Sequence, residues 1–167
     1  MLKIADVNRL QFNVPELIGN DWMLITAGGF EKCNTMTASW GGIGVLWNKP
    51  VAFIFVRPSR YTYEFIESTE VFTLSFFDEE YRNVLQLCGK VSGREVDKIS
   101  EAGFKKVESE NGSVFFEEAK LVMECRKLYV SDINPDCFFD DSLRKFYPNG
   151  DYHKLYVGEI LNVYENM

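Results

Sequence analysis

Arg57, Ser59, Arg60, Tyr61 and Thr62 place two guanidiniums and three hydroxyl groups within six consecutive positions, directly behind the apolar run 51–56. That run is short, rich in branched and aromatic residues and apolar on both faces, which predicts a buried strand. Thr62 stands where it would cap a helix running through Ile66, leaving free backbone N–H groups and the positive end of the helix dipole facing outward. A phosphate suits that seat, with Arg57 and Arg60 adding charge-assisted hydrogen bonds. Upstream lies an uncharged segment of mostly short, hydroxylated side chains: Asn34, Thr35, Met36, Thr37, Ala38, Ser39 and Trp40, followed by Gly41 and Gly42. A flat heteroaromatic ligand needs hydrogen bonds along its rim and apolar surface on its faces, and this segment offers both. The residues alone also fit plainer structures: a polar edge strand with one packed tryptophan, and a helix start with two surface arginines. Taken together, a ring seat and a phosphate seat point to a mononucleotide.

The elements that must position these segments follow from periodicity. Residues 22–27, ending at Gly28 and Gly29, predict a strand and turn, with 33–39 as the hairpin partner. In 71–76, Phe72, Leu74 and Phe76 share one face, the alternation of a half-buried strand. Helical spacing over 79–87 gathers Tyr81, Val84, Leu85 and Cys88 on one side, with Gly89 placed to end the helix. A second short helix is expected over 94–102, stopped by Gly103. Asn111-Gly112 marks a tight hairpin turn, leading to a long strand over 119–130. A final strand over 152–164 puts His153, Leu155, Val157, Leu161 and Val163 on one face. The stretch from Asn134 to Gly150, with Pro135, Pro148 and the acidic pair Asp140-Asp141, is the least regular and is expected to form a loop or lid. Strands outnumber helices and the connections are too short for repeated crossovers, so the fold class is mainly β, an antiparallel barrel with a few short flanking helices in a single domain over 1–167.

Composition excludes several alternatives. The 167 residues are 46% hydrophobic and 26% charged, as in globular proteins of one domain. A net charge of −7 repels polyphosphate backbones, so nucleic-acid binding is not expected and any basic site is local. The N-terminus lacks an apolar signal core and no run approaches a membrane helix, so a cytoplasmic protein without a membrane partner is expected. Cys33, Cys88, Cys125 and Cys137 are too scattered for a redox pair and are read as reduced thiols, and with His153 as the single histidine a metal site has little support. Fourteen Phe, 8 Tyr and 3 Trp exceed the needs of one core, which leaves aromatic surface for a ligand or a subunit contact.

The residues also resemble a known family. The blocks N-T-M-T-A-S-W-G-G from Asn34, W-N-K-P from Trp47, V-R-P-S-R-Y-T-Y-E-F-I from Val56, C-G-K-V-S-G-R-E-V-D-K from Cys88 and H-K-L-Y-V-G-E-I from His153 occur in the order seen in the flavin reductase-like FMN-binding split barrels, the flavoredoxin branch in particular. The resemblance implies an antiparallel, Greek-key-like split β-barrel. It implies that Asn34 to Trp40 lies along the isoalloxazine rim and that Arg57, Ser59, Arg60, Tyr61 and Thr62 hold the FMN phosphate. The segment containing Cys88, Gly89, Ser92, Gly93 and Lys98 closes over the cofactor in similar proteins, and His153 lies near the flavin or nicotinamide, a catalytic candidate on that side. The implied activity is hydride transfer from NAD(P)H to FMN with electrons passed to a small-molecule or protein acceptor, in a homodimer. Two rivals stay open: an electron carrier reduced by a partner protein without a nicotinamide site, and a non-redox sensor or structural dimer on the same barrel.

Overall fold

The computed structural model describes residues 2–165. A three-residue strand β1 (Lys3–Ala5) opens the chain, followed by a 3-10 turn at Val7–Arg9 and a π-helical turn at Glu16–Asn20. β2 (Met23–Gly28) and β3 (Cys33–Ala38) form the expected hairpin, pairing Met23 with Ala38 and Gly28 with Cys33. β4 (Gly41–Leu46) and β5 (Lys49–Val56) form a second hairpin whose turn residues Trp47 and Asn48 both have positive φ, 51° and 57°. Such a turn matches the right-handed strand twist, and Asn tolerates it well. α1 (Tyr61–Ser68) leads to β6 (Val71–Phe76), and α2 (Arg82–Lys90) and α3 (Lys98–Ala102) follow. The hairpin β7 (Lys106–Glu108) and β8 (Val114–Phe116) turns through Gly112 at φ +81°, and the long strands β9 (Leu121–Asp132) and β10 (Lys154–Glu165) complete the fold.

Four local expectations are corrected. The N-cap of α1 is Arg60, in extended conformation, and Thr62 is the second helical residue: its hydroxyl accepts from Asn34 instead of capping. α2 runs past Gly89 to Lys90, because Gly89 packs on Thr37, where an added Cβ would stand 3.5 Å from the Thr37 Cβ, and the chain turns extended only at Val91. α3 starts at Lys98, since the Asp97 side chain accepts from the Ser100 N–H and so caps the helix there, while 92–96 form a tight turn. In β10 a register shift between Ile160 and Asn162 breaks the single face expected for Leu155, Val157, Leu161 and Val163, so that Ile160 and Val163 enter the same core.

All strand pairs are antiparallel, in the order β3-β2-β6-β9-β10-β5-β4, with β1 adding to the distal half of β10. Side chains alternate across the sheet. One face sends Met23, Ile25, Met36, Ile54, Leu74, Met123 and Tyr156 into a common core, so the sheet curls around its own interior, and α1 plugs the end with Phe65 and Ile66. From the opposite face Leu24 and Val122 join Phe77, Leu85, Cys88, Phe104 and Phe116 in a second core under α2, α3 and the β7–β8 hairpin. Each such side chain contributes about 1.5–3 kcal/mol of burial. The mainly β architecture with a few short helices is as expected. Both cores press β3 and the start of α1 into fixed positions beside one another.

Candidate functional site

β3 and the start of α1 meet through side chains that the sequence places 28 positions apart. The Asn34 amide donates to the Thr62 hydroxyl at 2.7 Å and to the Thr35 carbonyl at 3.4 Å. Gly93 presses on that joint: a Cβ there would stand 2.0 Å from Asn34 Oδ1, so any side chain at 93 must displace the asparagine. On the next face of β3 the Thr37 hydroxyl donates to the Leu85 carbonyl, tying the strand to α2.

These ties leave two connected hollows. The first, about 220 Å3, is lined by Met36 to Trp40, Phe55, Arg57, Arg60 and His153. The second, about 100 Å3, is lined by Met36, Ser59 to Thr62, Lys90 to Gly93 and Lys98. Met36 and Arg60 line both, so the hydroxyl-bearing and aromatic patch and the Lys98 patch are neighbours in one cleft that Arg60 divides. The larger groove of about 630 Å3 beside the N-terminal arm lacks comparable chemistry, since Lys120 pairs with Asp21 and Arg9 with Asp6.

Charge in the cleft is one-sided. Arg60 donates to the Gly89 carbonyl at 3.0 Å, Arg57 to the carbonyls of Asp151 and Phe146 at 3.0 and 2.9 Å, and Lys98 to the Cys88 carbonyl at 3.1 Å. None of the three forms an ion pair among the described residues. Burial, and then repulsion from Arg57, hold the Arg60 guanidinium below its usual value. Lys98 is only 4% exposed, and burial brings its ammonium down to about 8. A buried cation satisfied only by a carbonyl gains strongly from an incoming anion.

The other end of the cleft is aromatic. His153 immediately precedes β10 with its ring 5.3 Å from Trp40 and 6.4 Å from Phe55, and its Nδ1 lies 2.8 Å from the Tyr147 hydroxyl. Burial, reinforced by Arg57, pushes the imidazole down to about 4, so it is neutral at pH 7. Residues 134–150 fold over this end: Phe146 packs edge-on against Trp40 at 5.4 Å, and the Ser59 hydroxyl donates to the Asp151 carboxylate.

The structure therefore gathers Met36, Thr37, Ala38, Ser39, Trp40, Arg57, Arg60 and His153 in one hollow and Ser59, Tyr61, Thr62, Ser92, Gly93 and Lys98 in the other. It does not bring the Asn34, Thr35 and Cys88 side chains to the cleft. Asn34 is the strut just described, Thr35 bonds Thr26 at 2.9 Å, and the Cys88 thiol is buried in the second core and pushed up by that burial. Gly89 contributes its carbonyl to Arg60. Sequence reasoning missed Phe55, Lys90 and Tyr147. Phe55 was within reach, because it lies two residues before Arg57 along one strand direction; Tyr147 gave no signal, as its contacts depend on where the loop folds.

The two hollows together offer apolar side chains and hydroxyls in one part and buried cations paired only with carbonyls in the other. A family model described as flavin reductase like domain matches residues 17–167. No curated protein matches the chain. Among solved structures, the flavoredoxin from Methanosarcina acetivorans is similar at 26% identity and TM-score 0.68, covering 87% of this chain and 68% of that one. An FMN-binding protein from Thermus thermophilus, solved with bound 1-cyclohex-2-enone, is similar at 22% identity and TM-score 0.67, covering 96% and 80%. The FMN-binding domain of a flavin reductases-like enzyme from Shewanella baltica superposes at TM-score 0.71 with 15% identity, covering 99% and 77%. The last two likenesses concern the fold.

Proposed function

This chain belongs to the flavin reductase-like domain family, and from that premise we propose that it is an FMN-binding oxidoreductase that passes hydride from NAD(P)H to FMN and electrons onward to a further acceptor. The observation that carries the reading is the pairing of Arg60 and Lys98 with backbone carbonyls only, at one end of a cleft whose other end is aromatic, with Arg57 held beside that aromatic end. Bound FMN supplies a ring able to accept a hydride and release electrons singly or in pairs. The protein's part is to orient and to exclude water. Arg60, Lys98, Ser59 and the first N–H groups of α1 hold the phosphate; Thr37 to Trp40 line the ring; Trp40, Phe146 and His153 form the wall that a second planar ring would stack beside. Neutral His153 acts there by hydrogen bonding, since hydride delivery requires alignment more than a proton donor.

Anaerobic mixing of protein, FMN and NADH or NADPH should bleach the flavin absorbance, and absence of bleaching with both nucleotides rejects the reductase reading. A second reading, an electron carrier reduced by a partner protein, is favoured by the likeness to the M. acetivorans flavoredoxin; reduction by a ferredoxin-type donor and not by either nucleotide selects it. We place the protein in the cytoplasm; no helix among the described residues is long and apolar enough to cross a membrane. Homodimer formation is supported by the exposed Val45, Trp47, Tyr129 and Val130, of which Trp47 and Tyr129 bring their rings to 6.3 Å. Light scattering giving twice the 19.3 kDa chain mass tests it.

A further inference from the structure

His153 is held by contacts that come from a part of the chain unrelated to its own strand. Its ring is flanked by Trp40 and Phe55, and its backbone carbonyl accepts from the Ile133 N–H at 3.1 Å, so neither ring nor backbone is free to turn. Nδ1 meets the Tyr147 hydroxyl, while Nε2 has no protein partner among the described residues and His153 lines the cleft. Tyr147 is itself clamped. The Arg57 guanidinium lies 4.9 Å from its ring centre, Tyr152 packs at 4.7 Å and Phe138 at 6.2 Å. Arg57 in turn holds the loop by two backbone carbonyls, and Ser59 holds Asp151.

The proton in the Tyr147–His153 bond has a definite place. Of the two groups the phenol O–H is the stronger acid and the imidazole nitrogen the stronger base, so donation from the O–H to Nδ1 is the matched direction of this 2.8 Å bond. A guanidinium over the ring withdraws electron density and strengthens the phenol as a donor. We propose that Tyr147 is the positioning residue for His153: its O–H donates to Nδ1, fixes the Nε2–H tautomer, and so presents an N–H donor to a carbonyl-type oxygen, such as a carboxamide, on the planar substrate that stacks in the cleft. Because burial keeps the imidazole neutral at pH 7, the tautomer alone decides whether the cleft wall donates or accepts. The assignment of the tautomer stands on the geometry; its use toward a nicotinamide carboxamide rests on the reductase reading above.

The single histidine makes the test unambiguous. In protein labelled with 15N-histidine, the ring nitrogens should show the Nε2–H tautomer with a hydrogen-bonded Nδ1, with no variant needed. Tyr147→Phe, which keeps the stacking on Arg57 and Tyr152, should shift the Nδ1 resonance and mix the tautomers. A wild-type Nδ1–H tautomer, or ring nitrogens unmoved in Tyr147→Phe, overturns the proposal. With NADH or NADPH as substrate, Tyr147→Phe should raise KM about threefold to tenfold with kcat little changed, the scale of one neutral hydrogen bond. A moved tautomer with unchanged KM overturns the substrate contact alone, and wild-type protein that oxidises neither nucleotide counts against the reductase reading while the resonance measurement still decides the role of Tyr147.

Discussion

Replacing Lys98 by methionine separates what the cleft costs the empty protein from what it gives the ligand. Burial lowers the ammonium from an ordinary 10.5 to about 8, a difference worth about 3 kcal/mol against the charged form in the folded state. Loss of its hydrogen bond to the Cys88 carbonyl offsets about 1 kcal/mol. Ligand-free Lys98→Met is therefore expected to be more stable than wild type by about 2 kcal/mol at pH 7, the sum of these opposing effects. The sign depends on pH in a defined window. Below pH 8 the lysine is charged in both folded and unfolded chains and the penalty is complete; as pH rises from about 8 toward 10.5 the folded state loses its proton first and the penalty disappears. Wild type should close the gap on the variant across that range. With FMN the effect reverses, because a charge-assisted hydrogen bond of about 1.5–3 kcal/mol is lost and Kd should rise about tenfold to a hundredfold. Denaturation with and without FMN, and fluorescence titration with FMN and riboflavin, measure both halves. Equal affinity of variant and wild type for FMN, or an equal loss for riboflavin, which has no phosphate, refutes the assignment of Lys98 to the phosphate.

Gly93→Ala should destabilise by about 1–3 kcal/mol in urea denaturation and weaken FMN binding together, since the new Cβ would stand 2.0 Å from Asn34 Oδ1. The His153 imidazole, with Arg57, Asp151 and Tyr147 as its charged or titratable neighbours, should titrate near pH 4 by NMR; because the unfolded chain takes up that proton near 6.5, stability should fall by up to about 3 kcal/mol as pH drops from 6.5 to 4, and His153→Phe should abolish that component. Glu124 is fully buried and accepts from the Asn111 backbone and side chain, Asn162 and Tyr164. Glu124→Gln turns one acceptor into a donor facing donors and should cost about 1–3 kcal/mol, with amide exchange rising first in the β7–β8 turn.

Local signals sufficed for β2, β3, β5, β6, β9 and β10: alternation in β6, a continuous apolar run in β5, one shared face in β10, and turn residues beside apolar segments for β2, β3 and β9. They failed for β4, whose Gly41, Gly42 and Gly44 have no side chains to show a pattern; pairing with β5 supplies that strand's order. β1 is too short to show a period. Thr62 has the side chain of a helix cap, but the partner that claims its hydroxyl, Asn34, is remote in sequence. At the site, residue types in blocks 34–40 and 57–62 were legible as ring and phosphate chemistry, and block 88–98 only through the family resemblance. How the two guanidiniums divide was not legible: both line the first hollow, but Arg57 is also engaged by the Phe146 and Asp151 carbonyls and only Arg60 reaches the second, an outcome set by where a distant irregular segment folds.

β10 lies between β9 on one edge and β5 with β1 on the other. Among the described residues it is the hydrogen-bonded seam joining the half of the sheet that carries β3 to the half that carries β5. Both walls of the cleft thus remain unjoined during synthesis until residues 154–165 have left the ribosome, and the contacts that finally unite them span most of the chain. Pairing through β10 is therefore expected to be a late and slow step of folding, with the unpaired edges of β5 and β9 exposed to chaperones or to other copies in the interval.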